Sequence, residues 1–103
     1  MLNEIIRDLG DNYNDTDKKV LDDILNDATT NALFISNRVR NLENIKLLSS
    51  EIKGYVKTVY LQRGVEDVQG QSQSGTSSTY INAYEEMRKN IISNGKRKTK
   101  WNL

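Results

Sequence analysis

Few residues of this chain have the types and spacing that catalysis or metal binding requires. The sequence contains no histidine and no cysteine, so it lacks the most common general base, the thiolate nucleophile and the usual zinc ligands. Glu85 and Glu86 are adjacent carboxylates, but neighbouring residues of a helix diverge by about 100° and do not face one site. We therefore expect no enzyme activity and no catalytic, cofactor or metal site.

The acidic stretch DNYNDTDKKVLD, residues 11–22, was compared with a calcium-binding loop. Counted from Asp11, position 3 is Tyr13, position 6 is Thr16 where such a loop needs glycine, and position 12 is Asp22 instead of glutamate. The stretch is more typical of a turn that leads into a capped helix, since Asn and Asp bond their own backbone.

The basic segment GKRKTKW, residues 95–101, has three interpretations. Its cations and indole suit a nucleic-acid contact, in which lysines meet phosphates and the ring stacks on a base. It also suits a disordered charged terminus, or an arm that docks on a protein partner. We favour docking, because a solvated tail has no need of the only tryptophan in the chain. The residues predicted to dock are Lys96, Arg97, Lys98, Lys100 and Trp101.

The stretch QGQSQSGTSST, residues 69–79, contains no charged and no apolar side chain. It predicts a long polar loop over 65–79. Such a segment stays soluble when free and has no charge to desolvate when it is buried between subunits. A plain flexible linker is the alternative. The residues predicted to contact a neighbouring subunit are Gln69, Gln71, Gln73, Ser74, Thr76, Ser78 and Tyr80.

Apolar residues at helical spacing predict an all-α fold, a small bundle of about four helices. The first helix lies before Gly10, and the second extends to about residue 37. The third fits roughly 43–63, or begins at Ser49-Ser50. The fourth is marked by an apolar stripe and ends near 94–95, and that stripe consists of Tyr80, Tyr84, Met87 and Ile91. We expect one helical domain, residues 1–94, followed by an extended basic C-terminal tail, residues 95–103.

Composition and charge favour an interaction protein. Only 36% of the residues are hydrophobic and the mean hydropathy is −0.70, so a chain this small is expected to complete its burial against a neighbour. Residues 1–27 hold eight acids and three bases, whereas six bases and no acid follow Glu86. No window approaches the ~18 apolar residues of a membrane span, so we expect no membrane partner.

In this order of elements the chain resembles the small head–tail connector (adaptor) proteins of tailed bacteriophages. The resemblance covers nearly the whole chain and depends on organisation. It includes the acidic turn DNYNDTD, the helix KKVLDDILNDATTNALFISNR, a third helix closing in YVKTVYLQRG, and the Ser/Gly/Gln-rich segment. It also includes YINAYEEMRKNIISNGKRK, a helix that leads into a basic tail.

The resemblance implies a virion protein that acts by assembly. Such proteins form a ring, commonly of about twelve subunits, beneath the phage portal, where the ring extends the DNA channel and joins the capsid to the tail. The implied partners are further copies of the chain, the portal protein, and a tail or head-completion protein, with non-specific contact to DNA. The implied location is the head–tail junction, and the host cytoplasm before assembly. The alternatives are a small nucleic-acid-binding protein that uses the basic arm, and a dimeric helical regulator.

Overall fold

The computed structural model describes the backbone of residues 1–68 and 73–98, and the side chains of 1–62 and 81–98. Within these ranges the chain forms five α-helices, and two short 3₁₀ turns join the first two. The helices are α1 (Leu2–Leu9), α2 (Lys18–Ser36), α3 (Leu42–Leu47), α4 (Ser49–Val68) and α5 (Gln73–Ser93). The predicted all-α bundle is confirmed. The predicted third helix is divided at Leu48, so its Ser49-Ser50 start is the better of the two alternatives.

Helices α2 and α5 end in the same way. Asn37 (φ 58°, ψ 38°) and Gly95 (φ 71°) are left-handed residues that directly follow the last turns. The next amide in each case reaches back five residues, from Arg38 to the Leu33 carbonyl and from Lys96 to the Ile91 carbonyl. These bonds satisfy carbonyls that a helix end would otherwise leave unpaired, and they turn the chain sharply.

The long helices pack with α4 antiparallel to both α2 and α5. Tyr60, late in α4, contacts Asn14 and Asp17 at the start of α2. Glu51, in the first turn of α4, contacts Asn94 just past the end of α5. The space between the three helices and α1 is filled by fully buried apolar residues, the largest of which are Ile5, Leu21, Leu48, Ile52, Met87, Ile91, Val56 and Val59.

A tyrosine holds the acidic turn onto α4. The Tyr60 hydroxyl donates a hydrogen bond to Asp17 Oδ2 at 2.7 Å and accepts one from the Asn14 amide at 3.3 Å. The ring lies beside that of Tyr13, with centroids 6.3 Å apart. Burial and the hydrogen bond to Asp17 raise the pKa of Tyr60. The acidic stretch is thus a turn that leads into α2, but its side-chain cap serves the 3₁₀ turn, where Asn14 Oδ1 accepts from the Thr16 amide, and Asp17 at the N-cap of α2 forms no capping side-chain hydrogen bond.

The loop predicted over 65–79 was wrong at both ends. Helix α4 continues through Gly64 to Val68, and α5 already begins at Gln73. A glycine allows a helix to end but does not require it, since its cost inside a helix is only about 1 kcal/mol. Serine, threonine and glutamine each cost a few tenths of a kcal/mol, and a helix fixed by packing farther along can extend through them. Residues 69–72 lie outside the described part.

No helix in the described ranges has the length and apolar character needed to cross a membrane.

Gly54→Ala should raise the free energy of unfolding by about 1 kcal/mol. Gly54 lies in the middle of α4, is exposed, and has nothing within 4 Å of the position that a Cβ would take. Alanine there restricts the unfolded chain without a clash. Denaturant unfolding measures the change. Gly95→Ala is the matched control and should destabilise, because its φ is 71°. Equal effects of the two changes would contradict this account of α4.

Candidate functional site: the anchored C-terminal segment

The residues that follow α5 fold back onto the bundle. The Lys98 amide donates to the Ser36 carbonyl at 2.8 Å, and Asn37 Nδ2 donates to the Lys98 carbonyl at 2.8 Å. Arg38 Nε donates to the Lys96 carbonyl at 2.8 Å. The end of α2 and its left-handed cap thus bind the backbone of the C-terminal segment.

We call residues 94–98 the C-terminal strap. Its second attachment is the carboxylate of Glu51, whose side chain is only 2% exposed. Lys96 Nζ lies 3.0 Å from each oxygen of that carboxylate. Asn94 Nδ2 donates to Oε2 at 2.7 Å, and the Ser50 hydroxyl donates to Oε1 at 3.1 Å. A buried charge is tolerated only when it is paired and hydrogen-bonded in this way.

Two opposing effects act on the Glu51 pKa. Burial raises it, and hydrogen bonds from Asn94, Lys96, the Glu51 backbone amide and Ser50 lower it. The hydrogen bonds prevail, so the pKa lies below its ordinary value and the group is charged at neutral pH. The strap is therefore held by a full negative charge within the bundle.

Sequence reasoning missed Glu51 although a signal was present. Leu48, directly before α4, and Ile52 and Tyr55 within it are buried at helical spacing, and position 51 falls in this stripe, three residues after Leu48. An acid inside an apolar stripe indicates a buried carboxylate that needs a partner. The identity of that partner, 45 residues farther along the chain, is set only by the antiparallel packing.

The structure separates the residues predicted to form the docking tail. Lys96 is an internal anchor instead of a free docking residue, because its ammonium pairs with buried Glu51 and its side chain is 22% exposed. The side chains of Arg97 and Lys98 are exposed to solvent, next to the end of α2. Lys100 and Trp101 lie outside the described residues. The first part of the predicted tail, residues 95–98, follows the end of α5 and is bonded to the bundle through Lys98.

The residues predicted to contact a neighbouring subunit are described only in part. Gln69 and Gln71 lie outside the described residues. The backbone of the others belongs to the first turns of α5, and their side chains are not described. These residues are Gln73, Ser74, Thr76, Ser78 and Tyr80. Their contact with another subunit stays a prediction. Farther along α5, Met87 and Ile91 are buried as predicted.

Charge is distributed unequally along α2. Asp15 and Asp17 stand at its start, and Asp22, Asp23 and Asp27 follow along the helix, all but Asp17 exposed. At its other end lie the exposed cations of the strap. A helix of 19 residues is about 28 Å long, well beyond the screening length of ~8 Å at physiological ionic strength. The two ends present separate surfaces of opposite sign. Among the described residues, no cluster of acids is arranged to hold a metal ion.

Lys96→Met should lower the free energy of unfolding by about 3 kcal/mol, because it leaves the buried Glu51 carboxylate without its counter-charge. The change is measured by denaturant unfolding at neutral pH. Lys98→Met is the matched control, since it removes the same charge from an exposed side chain and should change stability by less than about 0.5 kcal/mol. If the free energy of unfolding falls equally in both variants, the ion pair does not hold the strap.

Glu51 should make stability depend on acid pH. Its pKa is lower in the folded chain than its ordinary value of 4.5, so its contribution is complete above that value and is lost as the pH falls through the folded pKa. The stability difference between wild type and Glu51→Gln should be largest near pH 7 and should shrink below about pH 4.5. Glu86→Gln, at an exposed position, provides the control and should follow the wild-type profile. A constant difference across pH would show that the pKa of Glu51 is the same in the folded and the unfolded chain, which contradicts this account.

Comparison with family models, with curated proteins and with solved structures found no match to this chain. The assignment of a functional surface therefore depends on the geometry and chemistry of the strap, the charged ends and the exposed helix faces.

Proposed function

We propose that this chain is a structural assembly protein, a head–tail connector that forms a ring beneath a phage portal and joins the capsid to the tail. The observation that carries the proposal is the anchored strap. A buried ion pair and several long-range hydrogen bonds fix the strap, residues 94–98, to the bundle. Fixing the base of a segment reduces the entropy that it loses when it binds a partner.

Surface charge supports association between copies and with a partner ring. Acids at the start of α2 and bases at the strap are separated by the length of the helix. One copy can therefore place its acidic end against the basic end of the next. A repeated head-to-tail contact of this kind closes into a ring when its rotation permits. The order of helices, including a final helix that leads into a basic tail, agrees with the resemblance to connector proteins.

Exposed apolar side chains support contact with other chains. Phe34, Val39 and Leu42 are 75%, 72% and 68% exposed, although the chain has few apolar residues to spare. Large apolar groups left in solvent near the α2–α3 connection favour an interface there.

Electron cryo-microscopy of the protein mixed with the portal protein encoded by the same genome tests the proposal. The expected result is a ring of additional density coaxial with the portal. A variant lacking residues 99–103 should keep its helical circular dichroism and lose this density. The control is Lys89→Met, a change at an exposed lysine of α5 outside the strap and the acidic end of α2, which should bind as wild type does. A portal without added density in the wild-type mixture would contradict the proposal.

The exposed side chains of Arg97 and Lys98 favour a second candidate function, nucleic-acid binding through the basic arm. Duplex DNA binding that falls steeply with salt, and that Arg97→Glu with Lys98→Glu abolishes, would support this candidate. Binding that does not fall with salt, or that the double variant leaves unchanged, would oppose it.

A further inference from the structure

One face of α5 carries a stripe of exposed residues in which the apolar positions are symmetric and the two charges exchange sign when the order is reversed. The stripe consists of Ile81, Glu85, Arg88 and Ile92 at spacings of four, three and four residues, which places them on one side of a helix. Ile81 is 62% exposed and Ile92 41% exposed, and Glu85 and Arg88 are exposed between them. The order is apolar, acidic, basic, apolar.

The two charged residues of the stripe have no side-chain partner among residues 1–62 and 81–98. The ion pairs of the described residues do not include Glu85 or Arg88. Neither residue forms a side-chain hydrogen bond to another described residue. The buried residues of α5, Ala83, Met87 and Ile91, lie on a different side of the helix. The stripe is therefore available to a second chain.

We propose that two copies of this chain pair through this stripe, with their α5 helices antiparallel about a two-fold axis between residues 86 and 87. In that register Ile81 of each copy meets Ile92 of the other. Glu85 of each copy meets Arg88 of the other. A single surface is complementary to itself, as a two-fold interface requires.

The spacing fits the packing of antiparallel helices. A four-three-four repeat is the a/d seam of a coiled coil. Each of the four layers of the antiparallel pair joins an a position to a d position. A parallel pair would instead set Glu85 against Glu85 and Arg88 against Arg88, and like charges in contact are strongly unfavourable. The isoleucines contribute affinity, and the charges select the antiparallel orientation.

The surface beside Ile81 can accommodate Ile92 of the second copy. A shallow depression of about 330 Å³ lies between α2 and α5, and it is lined by Asn31, Tyr55, Ile81, Tyr84 and Glu85. Phe34 follows Asn31 by one turn of α2 and is 75% exposed. The apolar area beside the stripe thus extends from α5 onto α2. Because the central contact is one helix pair, the interface falls in the small size class of weak, reversible complexes.

This pairing goes beyond the proposed ring. It concerns the free protein, and its measurement needs no portal. Failure of the pairing would leave the ring proposal intact, and failure of portal binding would leave the pairing intact.

Charge reversal tests the pairing. Sedimentation equilibrium of the full chain, from low micromolar to near-millimolar concentration, should show a monomer–dimer equilibrium. Glu85→Arg and Arg88→Glu should each raise the dissociation constant at least about tenfold, because like charges then meet in the central layers. Dimer formation is expected to be restored in two cases. The double variant Glu85→Arg with Arg88→Glu should dimerise again, and an equimolar mixture of the two single variants should form heterodimers.

The matched control is Asn90→Asp, which adds a charge to an exposed position on the side of α5 away from the stripe and should leave the dissociation constant unchanged. Circular dichroism confirms that each variant is folded. A wild type that stays monomeric over the whole concentration range overturns the proposal. So does a dimer that both reversals leave unchanged, or a double variant that does not recover.

Discussion

The buried carboxylate of Glu51 is the constraint on which the arrangement of the C-terminal half depends. An ionised group that is 2% exposed requires a counter-charge and hydrogen-bond donors. Asn94 and Lys96 supply them only if α5 runs antiparallel to α4 and ends beside its first turn. Helix order, helix direction and the path of the strap are thereby linked. An apolar residue at position 51 would fill the same space without specifying which segment covers it.

The fold holds the acidic and the basic region of the chain to the bundle in a similar way. The acidic region near the N-terminus is held by Tyr60, which bonds Asp17 and the Asn14 amide. The basic region is held by Glu51 and by the cap of α2. In both places a polar group from α4 orders a segment that has little apolar surface of its own. This agrees with a small core, in which hydrophobic burial alone leaves the peripheral segments weakly held.

Helix α5 has three structural roles. Its buried side completes the core, its last residues lead into the strap, and its exposed stripe is self-complementary. A ring contact between acidic and basic ends is heterologous, whereas the stripe forms an isologous contact. The two use different parts of the molecule, so a reversible pair in solution and a ring on a partner are compatible states of one chain. Charge separation determines which copies approach, and the apolar residues determine which contacts persist.

The sequence by itself determined the class of fold and most of the core. Apolar spacing located α1, α2 and α5, and it identified Met87 and Ile91 as inward-facing, because helical periodicity is a local property. Prediction from apolar spacing failed where the structure of a segment depends on residues that are distant in the sequence. Residues 65–79 were predicted to form a loop, yet helical backbone continues to Val68 and resumes at Gln73, since weak propensities yield to packing elsewhere. Lys96 was read as free, because only the antiparallel pairing of α4 and α5 brings it to Glu51. Local pattern decides which residues avoid water, and tertiary structure decides which charges meet.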